Sequence, residues 1–339
     1  MLYIQHEELT HWLDNLARET RLIGPRNVAG VVLYQPLEGA DEIAWDFSRP
    51  AMSIKEAFFP PTERLFTVQK DGGNVQLTET LPDEGQVIFG VRPCDARGVQ
   101  ALDALFIGAQ PVDPYYAKRR ENTTMVGLAC KEMGPTCFCT SVGGAPDDPS
   151  GLDLMLVEDE DGYTIQAVTE KGRKLLDSAP GLIDRETSVQ EPSIQNSQFT
   201  IEDLQALNWP AHFEDDYWME MSERCLSCRV CAYVCPTCRC FDVRDEPLAS
   251  AGSNGGYERL RCWDSCARDA YRRIAGGHNP RAVQGQRLRN RFLCKFKYFP
   301  QQYQTSYPVA CTGCGRCIEA CPVNIDITEI LNHLVEVSL

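Results

Sequence analysis

The chain contains 339 residues, of which 43% are hydrophobic and 24% are charged, and its formal net charge is −15. This composition is typical of a soluble protein large enough for two domains with their own cores, so disulfide staples are not needed. The acidic balance disfavours a general nucleic-acid-binding function, because phosphate contacts need a basic surface.

Residues 1–20, MLYIQHEELTHWLDNLARET, predict an amphipathic helix, because their apolar residues recur at roughly helical spacing. They lack the basic segment and apolar core of a secretory signal. No uncharged apolar stretch approaches the ~20 residues that a membrane span requires. We therefore expect a cytoplasmic protein with reduced thiols, whose 17 cysteines serve metal or redox chemistry.

The next elements are short strands and one clear strand–helix pair. Strands are predicted in VAGVVLYQPL, RLFTV and TTMVGLAC, and a hairpin is predicted in DLMLVEDEDGYTIQAV. The stretch QVIFGVRPCDARGVQALDALF opens with a buried strand at residues 87–91, turns at Arg92-Pro93 and continues as a helix. Residues 1–185 are therefore expected to be mixed α/β.

A polar segment with little apolar periodicity, PGLIDRETSVQEPSIQNSQFT, predicts a domain boundary near residues 180–200. We expect an α+β protein with a mixed α/β domain over residues 1–190. A mainly helical, cysteine-rich domain is expected over residues 201–339, with a surface loop at RDEPLASAGSNGGYE.

Two stretches of the second domain share one cysteine pattern. CLSCRVCAYVCP and CTGCGRCIEACP both read C-x2-C-x2-C-x3-C-P. Three thiolates at this spacing hold one cubane cluster, and the fourth, before proline, ligates the other cluster of a two-cluster protein. The pattern predicts two [4Fe–4S] clusters with crossed ligands: Cys225, Cys228, Cys231 and Cys321 for cluster 1, and Cys311, Cys314, Cys317 and Cys235 for cluster 2.

This pattern makes the second domain a two-[4Fe–4S] ferredoxin-type domain with a long insertion, residues 236–310, between the cysteine motifs. Zinc is the alternative, since C-x2-C also suits zinc, but zinc sites seldom combine these spacings before proline. Gly313 and Gly315 suit a backbone packed against a cluster, although loop flexibility alone also explains them.

The first domain contains a second group of cysteines. The first of them starts the helix after the buried strand, where free N–H groups and the helix dipole favour a thiolate. Another ends a predicted strand, and two more lie together in TCFC. These thiols are expected either to close a third metal site or to be inert core thiols: Cys94, Cys130, Cys137 and Cys139.

Several functional motifs are absent from the sequence. There is no G-x-G-x-x-G after a strand and no G-x4-GK[ST], so no flavin or nucleotide site is visible. The five histidines show no metal-binding spacing, and no catalytic triad or carboxylate pair can be argued. We therefore expect no catalytic residues on this chain.

Long stretches beyond the cysteine spacing match a known family. GVRPCDARGVQALDALF, DPYYAKRRENTTMVGLAC, CLSCRVCAYVCPTCRCFDV, RCWDSCARDAYRRIAGGHNPR, RLRNRFLCK and CTGCGRCIEACPVNI follow one another in the family's order. The chain resembles the beta subunit of sulfhydrogenase-type, NAD(P)-linked nickel–iron hydrogenases and, more distantly, the A-type subunit of the anaerobic sulfite reductase. The likeness covers nearly the whole length, with little of it in residues 145–220.

The resemblance implies an electron-transfer subunit that connects the nickel–iron hydrogenase subunits of a complex with a flavin-bearing, NAD(P)-reactive subunit. It also implies that the four N-terminal cysteines act together as a third cluster. Neither nucleic acid nor membrane is expected as a partner. Two alternatives are an electron-input subunit of an anaerobic sulfite or other reductase, and a zinc-stabilised interaction module.

The family pattern also includes four cysteines of the insertion, whereas Cys262 is incidental. They make a complete set for zinc or a fourth [4Fe–4S] cluster, although packing thiols explain them equally well: Cys238, Cys240, Cys266 and Cys294. Residues 281–297 add six basic residues and no acid. This run is interpreted as a solvated helix face, as charge compensation for clusters or as a dock for an acidic partner.

Overall fold

A computed structural model describes residues 2–71, 73–185, 192, 194, 198–248, 255–303 and 307–338 of the chain. Its strands form two sheets, one of eight strands and one of four strands, within these residues. Every helix in the described ranges is too short or too polar to span a bilayer. The described residues form a mixed α/β fold, which the sequence predicted for the first half of the chain.

Twelve strands make up the two sheets in the described part of the chain. They are β1 Leu2–Gln5, β2 Arg21–Val28, β3 Val31–Leu37, β4 Thr62–Asp71, β5 Asn74–Glu79, β6 Gln86–Val91, β7 Thr123–Leu128, β8 Leu154–Asp159, β9 Gly162–Ala167, β10 Ile183–Asp184, β11 Phe241–Pro247 and β12 Gly256–Trp263.

The larger sheet, sheet A, has the strand order β10-β1-β9-β8-β7-β6-β2-β3. Strands β8, β7, β6 and β2 are parallel neighbours at its centre. The remaining strands pair antiparallel towards its two edges. Because parallel strands end at the same edge, the loops after β6 and β7 meet there, and Cys94 and Cys130 lie in or just after these loops.

The helices of the described residues are mostly short. They are α1 His6–Glu19, α2 Lys55–Phe58, α3 Pro93–Phe106, α4 Pro114–Asn122, α5 Glu170–Leu176, α6 Ile201–Ala206, α7 Tyr217–Glu223, α8 Val230–Tyr233, α9 Gln284–Leu293, α10 Phe299–Gln302, α11 Arg316–Glu319 and α12 Ile327–Glu336, with a π-helical segment at Cys294–Tyr298 between α9 and α10.

The cores follow from this arrangement. Strand β6 is buried on both faces, since Val87 and Phe89 pack in the core with α1 while Ile88 packs in the core with α3. A third core joins α7, α9 and α12 of the C-terminal part around Trp218 and Phe292. A buried central strand that leads into a helix is what the sequence predicted for residues 87–106.

The N-terminus differs from the prediction of one helix over residues 1–20. Residues Leu2–Gln5 form β1, which pairs antiparallel with β9 and β10, and helix α1 begins only at His6. The reason is tertiary, because a strand position between two distant strands satisfies these backbone groups and buries Tyr3 and Ile4. Helical spacing of apolar residues does not reveal such a partner.

Sheet B combines strands from both halves of the chain. Its order is β11-β12-β4-β5, so β12 of the cysteine-rich half pairs with β4 of the first half. Of the segment 244–258, predicted as a surface loop, residues 244–247 lie in β11 and residues 256–258 lie in β12, while residues 249–254 are outside the described ranges. The half that was expected to be mainly helical thus contains two strands, β11 and β12, and β12 pairs with β4 from the other side of the polar segment near residue 190.

One buried ion pair ties α3 to the second cysteine motif. The Arg316 guanidinium donates to both carboxylate oxygens of Asp95, with both nitrogen–oxygen distances at 2.7 Å. Its Nε donates to the carbonyl of Pro50 at 2.8 Å. The side chains of Arg316 and Asp95 are 1% and 0% exposed, so the pair is fully removed from water.

We expect Asp95→Ala to destabilise the protein by about 3–5 kcal/mol, because it leaves the buried Arg316 charge without its partner. Thermal unfolding of the anaerobically purified chain should show a clearly lower midpoint. Asp245→Ala is the matched control, since it removes an ion pair with Arg259 that is exposed on both sides, and its midpoint should hardly change. Equal midpoints for the two variants would contradict this assignment.

Candidate iron–sulfur centres

The two cysteine motifs adopt the same turn. In the second motif Gly313 and Gly315 have positive φ angles of 66° and 72°. In the first motif Ser227 and Arg229 occupy the same positions with φ angles of 53° and 69°. The pattern therefore encodes one backbone shape twice, and each loop leads directly into a short helix, α8 or α11.

The glycines of the second motif are required by a neighbouring loop. A Cβ on Gly313 would lie 2.5 Å from the backbone of Cys139, and one on Gly315 would lie 2.3 Å from the carbonyl oxygen of Thr136. The amide of Phe138 donates to the carbonyl of Gly313 at 2.8 Å. The TCFC loop of the first half is therefore packed directly against the second motif.

The fourth cysteine of the first motif lies beside the second motif. Burial raises the pKa of Cys311 to about 11 and that of Cys317 to about 12, and the nearby Cys235 thiolate contributes to both increases. Helices α8 and α11 pack against each other. Cys321 and Cys225 both border the same C-terminal core. These positions are consistent with crossed ligation, which remains a prediction.

The four N-terminal cysteines meet in one pocket. It is lined by Cys94, Cys130, Cys137 and Cys139, together with Gly313 and Cys314 of the second motif. Cys94 comes from the start of α3, Cys130 from the loop after β7 and the others from the TCFC loop. The structure thus brings this predicted set together, directly beside the second motif.

The protein environment of these thiols favours their protonated form in the absence of metal. Burial, and after it the Asp95 carboxylate, raise the pKa of Cys94 well above its usual value. The helix start by itself favours the thiolate, as expected from the sequence, but burial outweighs that effect here. A bound metal centre deprotonates its thiol ligands, so loading this pocket should release protons.

The four cysteines of the insertion are partly brought together. The side chains of Cys240 and Cys266 are hydrogen-bonded to each other, and Cys294 acts electrostatically on Cys266. Cys238 instead forms its side-chain hydrogen bond with Cys235 of the first motif. The set therefore adjoins the first motif through Cys238, and its member Cys294 belongs to the basic stretch.

Buried cations near the cysteines fit an anionic group. Arg291 is 6% exposed, and among the described residues its Nε and Nη2 have no hydrogen-bond partner. Burial alone would lower its pKa, but the nearby thiolates, first those of Cys231 and Cys317, raise it well above the usual value. An iron–sulfur cluster would supply the missing acceptors, since its sulfurs accept hydrogen bonds from the protein.

Other buried cations make direct contacts to sulfur. Arg49 donates to the Cys137 sulfur at 3.6 Å and forms an ion pair with Glu319 at 2.7 Å. Lys295 donates to the Cys235 sulfur at 3.0 Å. In the basic stretch, Arg291 and Lys295 are buried, so the interpretation as a solvated helix face is wrong for them.

Sequence reasoning missed the cations that come from the first half. Arg49 and Lys55 are buried beside cysteines, and Lys55 donates to the carbonyls of Tyr233 and Cys238 at 3.2 and 3.3 Å. No local sequence signal marks them, because isolated basic residues are usually solvated.

Within the described ranges, no three Cys, His, Asp or Glu side chains are grouped to hold a single metal ion.

The duplicated motif and its buried cations define an iron–sulfur electron-transfer protein. Residues 224–325 match the 4Fe-4S dicluster domain family. The chain is 30% identical over 347 residues to sulfhydrogenase 2 subunit beta of Pyrococcus furiosus, with 98% of each chain covered. It therefore belongs to the sulfhydrogenase beta-subunit family. No solved structure matches it.

We expect Cys235→Ser to change the spectroscopic signal of the cluster held by Cys311, Cys314 and Cys317, because crossed ligation makes Cys235 its fourth ligand. Electron paramagnetic resonance of the dithionite-reduced protein should show this, with Cys231→Ser as the reference for the other cluster. Loss of the cluster 1 signal in the Cys235 variant would mean that the ligands are not crossed.

We expect Cys94→Ser to remove one N-terminal cluster, about four irons and four sulfides per chain, while both ferredoxin-type signals persist. Iron and acid-labile sulfide analysis, combined with the same spectroscopy, measures this. Cys262→Ser is the control, since this buried cysteine lies in β12 and belongs to none of the proposed sets. An iron content equal to that of the control would exclude Cys94 as a ligand.

Proposed function

We propose that this chain relays electrons through [4Fe–4S] clusters between the nickel–iron hydrogenase module of a cytoplasmic complex and its flavin- and NAD(P)-binding subunit. The observation that carries the proposal is the seating of the TCFC loop on the second cysteine motif. It places the N-terminal cysteines next to the ferredoxin-type pair, as a continuous relay requires. Membership of the sulfhydrogenase beta-subunit family supports the choice of partners.

The proposed ligands follow the three groups of cysteines. Cluster 1 is held by Cys225, Cys228, Cys231 and Cys321, cluster 2 by Cys311, Cys314, Cys317 and Cys235, and cluster 3 by Cys94, Cys130, Cys137 and Cys139. Cluster 2 is central in this assignment, because its motif contacts both of the other groups. Among the cysteines of the described residues, Cys228 is the one that is exposed, so cluster 1 would be the end of the three-cluster relay that faces the surface.

When bound, the clusters supply reversible one-electron transfer. The chain itself holds them, keeps water away and sets their local charge. Arg291 lies between the two motifs and Arg49 beside the N-terminal group, so each places a fixed positive charge next to thiolates. Such charges stabilise the reduced, more negative state of a cluster and thereby raise its reduction potential.

The domain assignment stays part of the proposal, with residues 1–190 carrying cluster 3 and residues 201–339 carrying clusters 1 and 2. No residue of this chain is assigned to bond making or breaking in a substrate. The ion pair between Asp95 and Arg316 and the shared sheet B would hold the two parts as one relay.

The test is to tag this chain in its own host, purify the complex anaerobically and identify the co-purified subunits. We expect hydrogen-dependent reduction of NAD⁺ or NADP⁺, which is lost in the Cys317→Ser variant although the complex still assembles. The Cys262→Ser control should keep full activity.

Two other outcomes would overturn the proposal. Sulfite reduction without hydrogen uptake would assign the chain to a reductase instead. Colourless protein that contains zinc and no acid-labile sulfide would assign it to a zinc-stabilised interaction module.

A further inference from the structure

The sequence contains a second short repeat besides the two ferredoxin-type motifs, and one of its copies begins at Pro236, the last residue of the first motif. Residues 135–139 read PTCFC and residues 236–240 read PTCRC, so both follow P-T-C-x-C. The first copy provides Cys137 and Cys139 of the proposed cluster 3. The second copy provides Cys238 and Cys240, which the proposed relay does not use.

Each copy of this repeat is held by one buried cation in the same way. In the first copy Arg49 donates to the Thr136 hydroxyl at 2.9 Å and to the Cys137 sulfur at 3.6 Å. In the second copy Lys295 donates to the Thr237 hydroxyl at 2.9 Å and to the Cys238 sulfur at 3.6 Å. Two unrelated cations, an arginine and a lysine, thus make matching contacts from different parts of the chain.

The sulfurs of the other three insertion cysteines, Cys240, Cys266 and Cys294, also have polar partners. Arg239 donates to the Cys294 sulfur at 3.7 Å. The side chain of Tyr271 forms a hydrogen bond with Cys240, and the side chain of Asn290 forms one with Cys266. Inert core thiols pack among apolar groups, whereas each of these sulfurs is met by a hydrogen-bond donor, which is the environment of a thiolate ligand.

We propose that Cys238, Cys240, Cys266 and Cys294 hold a fourth metal centre, a [4Fe–4S] cluster built on the second P-T-C-x-C copy as cluster 3 is built on the first. Four thiolates are the complete ligand set of such a cluster. The buried ammonium groups of Lys295 and Lys55 offset its negative charge, since Lys55 donates to the Cys238 carbonyl at 3.3 Å.

The fourth centre extends the proposed relay. Lys295 contacts both Cys235 of cluster 2 and Cys238, so the two centres share one cation. Tyr271, the partner of Cys240, is half-buried, and the residues on both sides of it, including Arg272 and Arg273, are exposed. The centre therefore lies between cluster 2 and a basic part of the surface.

The matched variant and control both lie in the insertion. The double variant, Cys240→Ser with Cys266→Ser, removes the two proposed ligands that contact each other. The control, Cys262→Ser, changes a buried cysteine of β12 that is paired with Asp242 and Thr62 on the neighbouring strands. Iron, zinc and acid-labile sulfide are measured on the anaerobically purified complex, with Mössbauer spectroscopy of iron-57-labelled samples.

We expect the double variant to lose about four irons and four sulfides per chain relative to the Cys262→Ser control, with the signals of clusters 1 to 3 retained. Unchanged iron and sulfide, or loss of one zinc ion instead, would overturn the proposal. The count is independent of the reaction that the complex performs, so failure of the hydrogenase assay would leave this site in place.

A density map of the wild-type complex covers the case in which the double variant does not fold. Cubane density bounded by the four sulfurs supports the proposal. Free thiols at these positions, with clusters only at the other three sites, overturn it.

Discussion

The buried ion pair between Asp95 and Arg316 joins the two halves of the cysteine system. Asp95 follows Cys94 at the start of α3, and Arg316 precedes Cys317 in the second motif, so each partner lies next to a proposed ligand. Desolvating two charges costs on the order of several kcal/mol per ion, which only good geometry and further hydrogen bonds offset. The bond from Arg316 to the Pro50 carbonyl completes that geometry.

The second constraint on the structure is the position of its buried positive charges relative to the cysteines. The chain has a net charge of −15, yet several of the buried groups beside the cysteines are cations. Thiolates and cluster sulfurs concentrate negative charge in a poorly solvated interior, so a fold that loads several centres needs fixed positive charges between them. Arg291 and Lys295 supply these from the basic stretch, while Arg49 and Lys55 supply them from the first half.

Local patterns predicted the parts of the fold that depend on neighbouring residues. The strand at β6 and the helix at α3 were predicted because their apolar spacing and the Arg92-Pro93 turn are local signals. Strand β1 and the pairing of β4 with β12 in sheet B were not predicted, because the paired strands lie far apart along the chain and hydrogen bonding between distant strands leaves no mark in local spacing. The P-T-C-x-C repeat was present in the sequence, but its significance emerged only from the matching cation contacts.

The sequence by itself determined the chemistry of the centre: two C-x2-C-x2-C-x3-C-P runs specify thiolate ligands, and their spacing specifies a turn that both copies adopt. It also determined the family, since the likeness covers nearly the whole length of the chain. Only the tertiary structure decided which cysteines stand together and which cations face them. Thiol position depends on the loops after β6 and β7 and on the packing of TCFC against Gly313, and such contacts between distant segments are set by the packing of the whole chain.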